Sequence, residues 1–302
     1  MSTLCSGDDI LTVFEGSCVA LTTPFCENGV DFDAYERMIE FNIANGTDAL
    51  CVCGTTGEPA TMTEEEKESV IKFAIAKINK RVPVIVGCGS NCTASAIKYS
   101  VKAQEWGADA VLHVTPYYNK CTQKGLIAHY TAIANSISIP VILYNVPGRT
   151  GVNLLPQTAL KLCEVENIVA IKEACGNLSQ IQELCSLVGD KMDVYLGDDS
   201  LTFLGMALGA KGVISVTGNV VPRQMHDICA LFKAGEIEKS RNLQFKLNPL
   251  ISALFCEVNP IPVKKAMSFL GYGNGIPRLP LTEMEEENAN RLLGEMQKLA
   301  LL

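Results

Sequence analysis

Eight short runs of nearly uninterrupted apolar residues recur along the chain, at 18–23, 49–53, 82–87, 110–115, 141–145, 168–172, 193–197 and 212–216. The intervals carry a different rhythm. In 64–79, 94–105, 125–136, 177–188 and 199–208 the apolar positions return every three or four residues, as on a helix with one face against a core. Strands apolar on both faces, each followed by an amphipathic helix, predict a parallel sheet covered on its outer side, and eight such units close into a (β/α)8 TIM barrel. An open doubly wound sheet is the rival. It loses its main support because the first run continues into Thr22-Thr23-Pro24-Phe25 instead of a glycine-rich dinucleotide turn, and Gly87-Cys88-Gly89 is too short to supply one.

Beyond the eighth run the helical rhythm continues at 224–234, 236–255, 263–270 and 281–300, more than the last barrel unit needs. The expected division is a catalytic barrel over 1–234 and a small C-terminal helical domain over 235–302. Asn259-Pro260-Ile261-Pro262 is expected to break the chain outside any helix.

An apolar content of 48% supports a large core, and 25 basic against 33 acidic residues, with no basic cluster, argue against nucleic-acid or anionic-membrane surfaces. Small-molecule substrates are the expectation. No apolar stretch reaches the ~18–20 residues of a membrane span, and 1–17 lacks the basic n-region of a secretory signal. Thirteen cysteines form an odd set in a chain this large, and Cys18, Cys51, Cys53 and Cys88 fall in or beside apolar runs, as free thiols in a reducing cytoplasm would. The three histidines are dispersed and no Cys-x-x-Cys occurs, so no metal site is expected.

In a barrel the site lies where the strands end. The sixth run ends at Lys172, the second in Gly54-Thr55-Thr56-Gly57-Glu58, the fourth in Thr115-Pro116-Tyr117-Tyr118-Asn119, and the fifth in Tyr144-Asn145 ahead of Arg149. An amine that attacks a carbonyl must spend time uncharged, and burial at the end of an apolar strand disfavours the ammonium. Alternation places Ile168, Ala170 and Lys172 on one face of their strand, and Ile142 and Tyr144 on one face of the neighbour. If both faces point inward, the Tyr144 phenol comes within a hydrogen bond of the Lys172 amine and can move protons during Schiff-base formation, with Thr55 and Tyr118 extending a hydroxyl relay. Gly54 and Gly57 can shape a backbone nest for a substrate carboxylate, and Arg149 after its Pro-Gly turn can receive another. Gly197-Asp198-Asp199 reads as a helix cap sooner than a cation site, and Ser215-Val216-Thr217-Gly218-Asn219 is a weak phosphate signal.

The Gly54–Glu58 segment, Tyr144-Asn145-Val146-Pro147 and Ile171-Lys172-Glu173 together resemble the dihydrodipicolinate synthase and N-acetylneuraminate lyase superfamily of pyruvate-dependent class I aldolases, over nearly the whole chain. The segments at 115–119, 149–150, 197–199, 212–216 and 259–264 are similar to its dihydrodipicolinate synthase branch. The resemblance implies a cofactor-independent enzyme in which Lys172 forms the Schiff base with pyruvate and Tyr144, Thr55 and Tyr118 relay protons. It implies that Thr56, Ile214 and Gly197 belong to the substrate site, and that Arg149 receives the carboxylate of aspartate 4-semialdehyde. It also implies that the Tyr118 equivalent crosses a subunit interface, so activity needs at least a homodimer and the usual assembly is a homotetramer. The remaining readings are another pyruvate-dependent aldolase of the superfamily, acting on a sialic or keto-deoxy sugar acid, or a non-catalytic barrel that binds a keto acid. Asn91 and Tyr117 fit the superfamily's lysine-inhibited pattern, whereas Glu64, Lys67 and Ser95 replace its two histidines and glutamate. Inhibition by lysine is therefore expected to be weak or absent, and a clear loss of rate at millimolar lysine would contradict this.

Overall fold

The computed structural model describes residues 11–302, so most of the 1–17 stretch that lacks a basic n-region lies outside the described residues. Eight parallel strands, β1 (Gly16–Ala20), β2 (Ala49–Val52), β3 (Val84–Gly87), β4 (Ala110–Val114), β5 (Val141–Asn145), β6 (Ile168–Glu173), β7 (Asp193–Leu196) and β8 (Gly212–Ser215), pair in sequence order, and β8 closes on β1. The outer ring is α1 (Phe32–Ala44), α2 (Glu64–Ile78), α3 (Thr93–Glu105), α4 (Gln123–Ala134), α5 (Pro156–Leu162), α6 (Leu178–Val188), α7 (Thr202–Ala207) and α8 (Pro222–Lys233). A two-stranded hairpin, Phe25–Cys26 with Gly29–Val30, interrupts the first unit.

Local chemistry explains the boundaries. At the start of α2 the Thr63 side chain accepts from the Glu66 N–H while Glu66 accepts from the Thr63 N–H, and three glutamates follow in the first turn, where the helix dipole favours negative charge. Asn79 closes that helix in the left-handed region with φ 47°. The Asn177 side chain accepts from two N–H groups at the start of α6.

Two layers of apolar packing result. The inner one fills the barrel and includes Cys18, Cys51, Ile85, Leu112, Ile142, Ala170, Tyr195 and Ile214; the outer one lies between strands and helices. The Phe14 ring stacks on Tyr195 with centroids 4.2 Å apart, and the Tyr195 hydroxyl donates to the Phe14 carbonyl at 2.7 Å, which packs the barrel floor. Cys18, Cys51, Cys53 and Cys88 are buried free thiols.

Past the barrel come α9 (Ile237–Leu254), α10 (Ile261–Phe269) and α11 (Glu286–Lys298), with α9 packed against α8 and α11. One expectation is corrected here. Pro262 lies inside α10, in its first turn, where no intrahelical N–H is lost. No helix among the described residues is long and apolar enough to cross a membrane.

Candidate active site

Lys172 and Tyr144 are directly opposed across β6 and β5. Both side chains point into the barrel, and Lys172 is 5% exposed. The Lys172 Nζ rests over the Tyr144 ring, 4.3 Å from its centroid. No hydrogen bond joins the amine to the phenol oxygen, so the amine meets the aromatic face first, and the expected direct bond is corrected to a ring contact.

The alternation that pairs them is offset at the start of β6. Val141 faces Ile168, but Ile142 faces Ala170, so Val169 is an extra residue in the strand. Ile168 therefore packs in the outer layer, and only Ala170 and Lys172 share the inward face as expected. The neighbouring outward residues lock the two strand ends. Asn145 Nδ2 donates to both carboxylate oxygens of Glu173 at 3.0 and 3.1 Å, and Glu173 also accepts from the Cys175 N–H and Gln180. Burial holds the Glu173 carboxyl above the ordinary range.

Above the pair opens a cavity of about 610 Å3 lined by Thr55, Thr56, Tyr144, Arg149, Lys172 and Gly197, among others. The structure thus brings together six of the eight residues singled out from sequence. Ile214 is not among the lining residues; it is fully buried in the barrel interior. Tyr118 lies outside the cavity, 85% exposed, with a left-handed backbone at φ 71°.

The loop after β2 forms a one-turn 3-10 helix, Thr55–Gly57. The Gly57 and Glu58 N–H groups close that turn, leaving the Thr55 and Thr56 N–H groups at its start free to face an anion. The positive φ values fall on Cys53 (54°) and Glu58 (56°), not on Gly54 or Gly57. Gly54 and Gly57 instead serve close approach: a Cβ on Gly57 would come within 3.2 Å of the Leu21 carbonyl oxygen. Glu58 anchors the loop from below. Its carboxylate receives Lys264 Nζ at 2.6 Å and the Arg278 N–H at 3.0 Å, in a pair with side chains only 3% and 2% exposed. Burial pulls the Lys264 ammonium below the usual lysine range despite that partner.

At the end of β7, Asp198 caps the following turn by accepting from the Ser200 N–H at 3.1 Å. Asp199 turns inward and accepts from the Val216 and Thr217 N–H groups. With the Gly218 N–H given to Ser215 Oγ, the donors a phosphate would require after β8 are already engaged. Among the described residues no group of three or more His, Cys, Asp or Glu is placed to hold a metal ion.

Gly197 is required by contact. A Cβ there would meet Ala174 Cβ at 2.7 Å and the Lys172 stem at 2.8 and 3.2 Å. Gly197→Ala is expected to displace the amine and lower turnover by about 10²-fold, with the fold retained; steady-state kinetics beside a far-ultraviolet spectrum check this.

Sequence reasoning missed one wall of the cavity. Asn248, Ile251, Ser252 and Phe255 of the α9 segment line it, together with Asn259. Two polar residues four apart, Asn248 and Ser252, on a helix outside the barrel repeat were the available signal.

The profile of the dihydrodipicolinate synthetase family matches residues 13–299. A relative from Alkaliphilus oremlandii, 4-hydroxy-tetrahydrodipicolinate synthase, is 51% identical over 286 residues, 95% of this chain and 99% of its own. A solved dihydrodipicolinate synthase from Aquifex aeolicus is 48% identical with a TM-score of 0.93, covering 95% of this chain and 99% of that one. The chloride-inhibited enzyme from Acinetobacter baumannii, solved in complex with pyruvate, is 45% identical with a TM-score of 0.94, covering 96% of this chain and 100% of that one.

Proposed function

The chain belongs to the dihydrodipicolinate synthetase family, and from that premise we propose that it condenses pyruvate with L-aspartate 4-semialdehyde to 4-hydroxy-tetrahydrodipicolinate, as a Schiff-base lyase of lysine and diaminopimelate biosynthesis. The observation that carries this reading is the buried Lys172 opposed to Tyr144 beneath a cavity that also holds Arg149. The Lys172 amine adds to the keto carbon of pyruvate, and loss of water leaves an iminium. Loss of a methyl proton then gives an enamine, whose terminal carbon adds to the aldehyde; the amine of the aldehyde substrate next attacks the re-formed iminium carbon, which closes the ring and releases the Lys172 amine. Tyr144 and Thr55, which line the same cavity, are assigned to carry protons in these steps. The free Thr55 and Thr56 N–H groups suit the pyruvate carboxylate, and Gly197 leaves room for the imine stem.

Arg149 is assigned to the carboxylate of the aldehyde. Arg149→Ala is expected to raise the KM for aspartate 4-semialdehyde by about 30- to 100-fold with little change in the pyruvate KM. Equal effects on both substrates, or greater turnover with a sugar aldehyde, would favour a different aldolase of the superfamily.

Tyr118, exposed and held in a left-handed backbone, is assigned to the site of a second copy of the chain, so that activity requires at least a dimer, with a homotetramer as the working assembly. Residues 235–302 are read as a helical appendage that walls the site, and the cytoplasm as the compartment. A second cavity of about 640 Å3 is lined by Glu64, Lys67, Ser95, Tyr99 and Tyr117. There the Glu64 carboxylate is already taken by Lys98 at 2.8 and 2.9 Å and by the Tyr99 hydroxyl, which supports weak or absent inhibition by lysine.

A further inference from the structure

Asn259 stands where two substrate subsites meet. Its Nδ2–H donates to Thr56 Oγ1 at 3.0 Å, while its main-chain carbonyl accepts from Arg149 Nη2 at 3.1 Å. Thr56, Arg149 and Asn259 itself line the cavity above Lys172. A threonine hydroxyl has one proton and two lone pairs, so a bond received at the oxygen leaves the proton to be donated elsewhere. We propose that Asn259 is a positioning residue: by donating to Thr56 Oγ1 it turns the Thr56 proton toward the cavity, where that proton is given to the carboxylate of the keto acid held on Lys172. This inference rests on the pyruvate chemistry proposed above and names how one of its binding groups is aimed.

Two further observations support it. Asn259 is buried, yet its Oδ1 has no hydrogen-bond partner. Among the described residues, Thr56 is therefore the one protein group to which this buried amide side chain is bonded. The two residues are also fixed relative to each other. Glu58, two positions after Thr56, is ion-paired to Lys264, five positions after Asn259, so the loop and the α10 segment are joined at a second point. Arg149, in contrast, is held by a main-chain oxygen that every side-chain variant of Asn259 retains.

The test measures pyruvate and aldehyde KM values and melting temperatures for Asn259→Ala, Asn259→Asp, Thr56→Val and the Asn259→Ala/Thr56→Val double variant. Asn259→Ala is expected to raise the pyruvate KM about tenfold, to leave the aldehyde KM within about twofold, and to add nothing to Thr56→Val. Asn259→Asp is expected to raise it further, because a carboxylate accepts the Thr56 proton and repels the keto acid's own charge. Where turnover is too slow to measure, the pyruvate concentration that half-saturates borohydride trapping replaces KM, and the same shift is expected. The proposal is overturned by an unchanged pyruvate KM, by full additivity with Thr56→Val, or by a parallel fall of both substrate affinities and melting temperature. A wild-type chain that traps no pyruvate removes the proposed reaction itself and this inference with it. Normal wild-type trapping without the Asn259 shift removes this inference alone.

Discussion

Lys172→Ala is expected to lower kcat by about 10⁴-fold or more while the protein stays folded, because the residue supplies the only covalent attachment point in the proposed reaction. Lys172→Arg separates the roles a cation can play there. A guanidinium carries a fixed positive charge but does not lose its proton to become a nucleophile. If the residue merely attracted an anionic substrate, arginine would restore a large part of the rate. The expected outcome is that arginine performs no better than alanine. Steady-state kinetics with both substrates, beside an unchanged thermal transition, check this.

The second large effect concerns stability. Lys264 and Glu58 form a buried ion pair at 2.6 Å that joins the loop after β2 to α10. Lys264→Met removes one partner and leaves a carboxylate in a site with little access to water, a change that costs about 3–5 kcal/mol. The melting temperature is expected to fall by roughly 10 °C, on the scale of about 2–4 °C per kcal/mol for large domains. Replacing both partners, as Glu58→Gln with Lys264→Met, is expected to recover much of the loss because no unpaired charge is then buried. Calorimetry on the single and the double variant checks this, and a single variant as stable as the parent would contradict it. The Phe25 ring, 4.2 Å from Lys264 Nζ and 4.0 Å from the Arg278 guanidinium carbon, retains its Arg278 contact in the single Lys264 variant.

Much of the barrel was legible in the chain because strand burial is a local property. A strand covered on both faces reads as an apolar run wherever it is placed, and the eight runs named from sequence contain most of each observed strand. Alternation also brought Tyr144 and Lys172 to one mouth, since both precede or follow any irregularity in their own strands. What was not legible depends on contacts between distant segments. The extra residue Val169 is set by how β6 joins β5, and nothing in Asn167-Ile168-Val169-Ala170 marks it. The positive φ at Glu58 falls on a residue whose side chain is anchored by Lys264 and Arg278, more than 200 positions away, and so escapes a reading that looks for glycine. The α9 wall and the role of Asn259 likewise arise only when the C-terminal helices fold over the mouth. Tyr118, named for the relay and read through the resemblance as reaching across a subunit interface, is 85% exposed and lies outside the cavity of its own chain.

The most direct measurement is to incubate the protein with pyruvate, reduce it with borohydride, and weigh both the intact chain and its peptides. The expected result is one added 1-carboxyethyl group, located on Lys172. An unmodified chain, or an adduct confined to a different lysine, would contradict the central claim that this buried amine captures the keto acid.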